Sequence, residues 1–243
     1  MQKIGRSWEG TPTIVEYKIE DGCIMENTLV GFGTIIVDKD FLDEMEKIAE
    51  ELSGESDIVS LMGKIYNKVF NYYSSNALNE MSREQTYAAN EIYDEDGMVI
   101  GTKISALKGR NISKCSEKSL AAYVILKKLC EIEGNDRKAT LVLSYLSADQ
   151  SSAEPHAFVM LNKDNCNDIT KHILFDVENP TLVEDPNGDK RYFVGLYSLS
   201  DEEYASLITG EKFTPTSFFE MGSKYREVGP KRIYGKLSKT MHY

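Results

Sequence analysis

Apolar positions fall into three regimes along the chain. Thr13–Glu20 and Thr28–Val37 alternate or run apolar around Asp21-Gly22, which predicts an N-terminal β-hairpin, with Gly31 and Gly33 marking a bulge or close backbone approach. Helical spacing follows. Phe41, Met45, Ile48 and Leu52 line one face of Asp40–Leu52, and Val59, Met62, Ile65, Tyr66, Val69, Phe70 and Tyr73 give Asp57–Tyr73 a broad apolar face. Ser82–Tyr93 predicts a third helix, capped by Ser82 with Gln85 completing a capping box.

Met98–Leu107 is ambiguous by pattern and leads into Lys108–Leu129. There the pattern changes: Leu120, Ala121, Tyr123, Val124, Ile125, Leu126 and Leu129 leave only Lys118, Lys127 and Lys128 as obvious solvent anchors. A helix apolar almost all the way round belongs in the middle of a domain. After Glu133-Gly134 the third regime begins, with strand-like runs at Ala139–Leu146, His156–Leu161, His172–Glu178 and Arg191–Leu199. Ser200 and Glu203 form a capping box for a helix over Asp201–Thr209, and the tail offers one more short strand or hairpin.

Helices first and strands afterwards predict an α+β fold, with helices packed on a mostly antiparallel sheet. The 243 residues suit a single domain, 1–243, with a hairpin extension over 1–40 and a C-terminal extension of the sheet over 191–243.

Composition narrows the function. A net charge of −11 argues against general nucleic-acid binding, since a phosphate backbone needs a basic footprint. The basic tail from Lys224 to Lys239 reads as a solvated edge. No apolar run approaches the ~20 residues of a membrane span, and the first residues lack the apolar core of a secretion signal. The expectation is a cytosolic protein without nucleic-acid or membrane partners. Four scattered cysteines (Cys23, Cys115, Cys130, Cys166) and three histidines provide no CxxC pair and no disulfide framework, so neither metal nor cofactor is expected.

The chemistry collects around Cys115. If Ser113 caps the buried helix, Cys115 sits in the first turn, where unpaired N–H groups and the helix dipole favour a thiolate. A thiol nucleophile also needs a base, and the base needs an orienting group. His156–Leu161 and His172–Val177 flank a polar connection, Asn162–Lys171, centred between Cys166 and Asn167. Pairing them antiparallel about that centre sets His156 opposite or nearly opposite Asp176, on one sheet face. Asp176 lies between Phe175 and Val177, where an unpartnered carboxylate would be costly. Asp168 and Asp185 fall in loops and fit the hairpin worse. His172 reads as polar edge decoration, while Tyr192, Phe193 and Tyr197 read as sheet packing or as a cleft wall.

Cys115-Ser116-Glu117 opening an apolar helix, Pro155-His156-Ala157-Phe158-Val159 on a strand and Phe175-Asp176-Val177-Glu178-Asn179-Pro180 on the next together resemble the transglutaminase-like core. Ile65–Tyr72 and Ala106–Ser113 are similar to its preceding helix and approach loop, so the likeness spans about 57–186. Two features depart from the family pattern: Ser113-Lys114-Cys115 replaces Gly-x-Cys, and Phe158 stands where Trp is usual.

The resemblance implies a papain-related fold with a Cys115–His156–Asp176 triad working on amide carbonyls of a peptide or protein substrate through a thioester. The oxyanion donors would be the Cys115 N–H and a second group, for which Asn111 and Gln85 are candidates. A cysteine peptidase is the first expectation, a transglutaminase or glutamine deamidase the second, and a non-catalytic protein-binding module on the same fold the third.

Overall fold

The computed structural model describes residues 13–15, 23–26, 34–75, 81–93, 95–134, 137–147, 154–163, 172–209, 211, 214–215, 217–218, 226–228 and 233–235. The architecture is α+β. Two sheets and five α-helices stand among the described residues.

The larger sheet is antiparallel. It runs β1 (Thr13–Val15), β6 (Arg137–Ser147), β7 (Glu154–Lys163), β8 (His172–Glu184), β9 (Lys190–Leu199) and β10 (Ser217–Phe218), with β11 (Arg226–Glu227) on β8 and β12 (Ile233–Gly235) on β6. The smaller sheet, β2 (Cys23–Glu26), β3 (Thr34–Val37), β5 (Val99–Lys103) and β4 (Glu91–Tyr93), contains one parallel pair, β3 with β5.

The N-terminal hairpin is therefore corrected. Its two arms are Cys23–Glu26 and Thr34–Val37, while Thr13–Val15 pairs instead with Leu141–Leu143 of β6 in the other sheet. Asp21-Gly22, Gly31 and Gly33 lie outside the described residues.

α1 (Lys39–Leu52) and α2 (Ile58–Tyr73) form where the spacing predicts helices, although Phe70, expected on the apolar face of α2, is 49 % exposed. Each has an aspartate N-cap, Asp38 and Asp57, accepting a backbone N–H three residues on. Asp38 also accepts the Ser105 N–H at 3.1 Å, tying the start of α1 to a 3-10 turn, Ile104–Leu107. α3 (Arg83–Ala89) has the predicted Ser82/Gln85 capping box but ends four residues early, because Glu91–Tyr93 leaves the helix to pair with β5.

At the centre is α4 (Cys115–Glu133), between the larger sheet and α1 and α2. Leu120, Tyr123, Val124, Ile125, Leu126 and Leu129 are buried on it, and each large aliphatic side chain among them contributes about 1.5–3 kcal/mol. Gly134, in the left-handed region at φ 59°, closes the helix.

Leu141, Val159, Leu161, Ile173, Phe175 and Val177 join α4 in the main core. Alternate residues Val142, Phe158, Met160, Leu174, Tyr197 and Leu199 form a smaller core with Leu207 of α5 (Asp201–Thr209). The Ser200/Glu203 capping box of α5 is present. No described helix is long and apolar enough to cross a membrane.

Candidate active site

Cys115 is the first residue of α4, half-buried and not in a disulfide. The N-cap residue is Lys114 rather than Ser113, and its side chain makes no capping bond. The cap comes from within the helix: the Glu117 carboxylate reaches back to accept the Lys114 N–H at 3.0 Å. One turn on, the Ser119 hydroxyl donates to the Ala157 carbonyl at 2.8 Å, fastening the start of α4 to β7 beside His156.

β7 and β8 pair as Val159 with Phe175, Met160 with Leu174 and Leu161 with Ile173. Continued, that register sets Phe158 opposite Asp176 and His156 opposite Glu178. The offset from a directly facing His156–Asp176 pair is two residues, an even number, so both side chains keep a common face and meet diagonally. His156 Nε2 and Asp176 Oδ2 are 2.9 Å apart, with His156 3 % and Asp176 0 % exposed.

The other carboxylate oxygen, Oδ1, accepts the backbone N–H groups of Glu178 and Asn179, each at 3.1 Å, and the Asn179 side-chain amide donates to Oδ2 at 3.2 Å. These bonds exist because β8 bulges between Asp176 and Thr181, turning the next two N–H groups back onto the side chain. Gly195 of β9 faces Asp176 across the ladder. A Cβ on it would lie 2.6 Å from the Asn179 carbonyl oxygen and 2.7 Å from that of Asp176, so only glycine fits against the bulge.

Burial works against an imidazolium at His156. The Asp176 charge and hydrogen bond, followed by a hydrogen bond to Cys115 and its charge, more than offset burial and raise the pKa to about 10. With Nε2 given to Asp176, Nδ1 is the nitrogen left for the thiol. Sulfur, imidazole and carboxylate thus form one chain from α4 through β7 to β8.

No family model, curated protein or solved structure matches the chain.

Both candidate side-chain oxyanion donors have structural roles of their own. Asn111, at φ 56°, clips Ser75 through paired 2.9 Å bonds to its N–H and carbonyl, and the Gln85 side chain accepts the Ser82 N–H in the capping box. Asp168 and Cys166 lie outside the described residues. Asp185 is a turn residue: it accepts from the Asn187 and Asp189 N–H groups and pairs with Arg191 at 3.0 Å.

His172 stacks on Tyr204 with ring centroids 3.5 Å apart, and burial lowers its pKa against the opposing charge of Asp201. Tyr197 is core, bonded to Thr181 at 2.7 Å, whereas Tyr192 is 79 % exposed; the Phe193 side chain is not among those described. Cys130 lines a cavity of about 180 Å³ at the far end of α4, with Leu126, Leu129 and Leu161. Among the described residues no three His, Cys, Asp or Glu side chains group as metal ligands.

Sequence reasoning missed Asn179 and Gly195, and also Arg83 and Tyr87 of α3, which bind the buried Glu117. One signal was available for Glu117. A carboxylate opening so apolar a helix requires partners, by the argument that singled out Asp176.

Proposed function

We propose that the protein is a cysteine-dependent acyl-transfer enzyme of transglutaminase-like, papain-related architecture, hydrolysing amide bonds of peptides or proteins. The observation that carries this reading is the buried Asp176–His156 hydrogen bond, with Cys115 as the other partner of the same imidazole at the start of a helix.

The proton resides on His156 and the negative charge on Cys115. The sulfur attacks the amide carbonyl carbon, and the carbonyl π electrons move onto oxygen. The oxyanion lies within reach of the Cys115 N–H, which points out of the first turn with no intrahelical acceptor. Collapse of the adduct breaks the C–N bond as the Nδ1–H of His156 protonates the leaving amine, giving a thioester on Cys115. Neutral His156 then takes a proton from water. The hydroxide adds to the thioester carbonyl, and departure of the sulfur restores the ion pair and releases an acid. Asp176 holds the imidazole in one tautomer throughout.

Site-resolved alkylation by iodoacetamide between pH 5 and 9 tests the reading, with Cys130 as an internal reference thiol. Cys115 should react much faster than Cys130 at pH 6 in the wild type, and His156→Ala should remove that lead. Asp176→Ala should reduce it. Equal reactivity of the two thiols in all three proteins would overturn the assignment.

A further inference from the structure

Two residues beyond Cys115, Glu117 has no solvent exposure and gathers five donors. Arg83 Nη2 and the Tyr87 hydroxyl donate to Oε1; Arg83 Nη1 at 3.3 Å, the Ser116 hydroxyl at 3.0 Å and the Lys114 N–H at 3.0 Å donate to Oε2. Arg83 is 6 % exposed and also gives Nη1 to the Ile112 carbonyl at 2.9 Å, while the Tyr73 hydroxyl donates to the Glu117 carbonyl at 3.1 Å. The cluster binds α2, α3, the approach loop and the first turn of α4 together at the peptide that carries Cys115.

Packing alone does not require ions here, since apolar residues of similar volume hold elements together as well as a buried pair or better. The helix end supplies a reason. Its dipole and free N–H groups favour an anion. Two compete for that end, the Glu117 carboxylate and a Cys115 thiolate, and an uncompensated Glu117 would oppose the thiolate.

We propose that Arg83 and Glu117 are positioning residues for Cys115: Glu117 fixes the first turn of α4 from inside, and Arg83 cancels its charge so that the thiolate keeps the benefit of the helix end. This rests on the reading of Cys115 as a nucleophile. Among the described residues, the other charges around that end include Lys114 in the approach loop, Lys118 of α4 paired with Glu178 of β8 at 2.5 Å, His156 of β7 and Asp176 of β8. Glu84 of α3 is another, its carboxyl held low by its own backbone N–H and the Ser82 hydroxyl and in part by Arg83 and Lys114. The phenols of Tyr73 and Tyr87 stay protonated, their pKa values raised above the ordinary range by burial and by the Glu117 charge.

The test is the acid limb of Cys115 alkylation, iodoacetamide rate against pH, on the full chain, with thermal unfolding followed alongside. Glu117→Gln is nearly isosteric, keeps an acceptor for Lys114 and leaves the Arg83 charge unopposed. The limb should move to lower pH by about one unit. Removing both charges in Glu117→Gln/Arg83→Gln should return it close to the wild-type position. Arg83→Lys, which keeps the charge and loses the planar fork, should leave it in place.

A limb that stays put in Glu117→Gln overturns the proposal, as does a double variant that retains the single variant's shift. A merely structural role would lower the unfolding temperature without moving the limb downward. If wild-type Cys115 shows no lead over Cys130, and His156→Ala changes nothing, the nucleophile reading itself falls.

Discussion

Asp176 has no contact with solvent, yet two backbone N–H groups, an asparagine amide and an imidazole occupy its oxygens. Such a site holds a carboxylate and, through it, a proton on His156. The consequence for stability has a definite sign. The folded pKa of His156, about 10, lies above its ordinary 6.5, so the folded state binds this proton more tightly. Its contribution is complete below about pH 6.5 and is lost as pH rises towards 10. Urea unfolding at pH 6.5, 8 and 9.5 should show stability declining across that window, with a shallower decline in His156→Gln; equal slopes would contradict the shift.

At this scale the sequence was informative where a residue violated its surroundings. Asp176 between two buried apolar residues demanded a partner, and an even-numbered register fault could not separate it from His156. Arg83 gave no such sign. Its partner is 34 residues away, and nothing in a short polar helix announces which of its charges is buried.

Among the elements, β8 departs furthest from its pattern. The apolar run suggested a strand ending at Glu178, but the strand continues through Asn179 and Pro180 to Glu184. It does so by bulging, which lets proline sit where no ladder bond is needed. The bulge also makes β9 part of the site, since Gly195 must approach closely. Gly195→Ala should destabilise the protein by about 1–3 kcal/mol through overpacking against backbone that has no room to yield. Displacement of Asp176 should also reduce the Cys115 alkylation lead at pH 6. Urea unfolding and peptide mass spectrometry read the two effects separately. α4, by contrast, was legible almost to the residue, because a long apolar surround with a Gly stop admits few other readings. Only its cap was misassigned: the acceptor comes from Glu117, inside the helix.

For the whole molecule, composition and regime order were enough for an α+β fold. Strand partners were not, because pairing depends on distant residues. Thr13–Val15 looks like half of a local hairpin, yet its partner strand lies more than a hundred residues downstream. That strand, β6, has β7 along one edge. Its other edge is shared end to end by β1, at Leu141–Leu143, and β12, at Tyr145–Ser147. A chain shortened before Ile233 should leave the latter stretch as an open strand edge, and size-exclusion chromatography should then show oligomers in place of the full-length protein's profile. The same arrangement imposes an order on biosynthesis. A ribosome that has completed β6 must make β7 to β11 before β12 emerges, on the order of several seconds at ordinary elongation rates. Through that interval the Tyr145–Ser147 end of one β6 edge lacks its β12 partner, so chaperone demand should persist until Ile233–Gly235 has emerged.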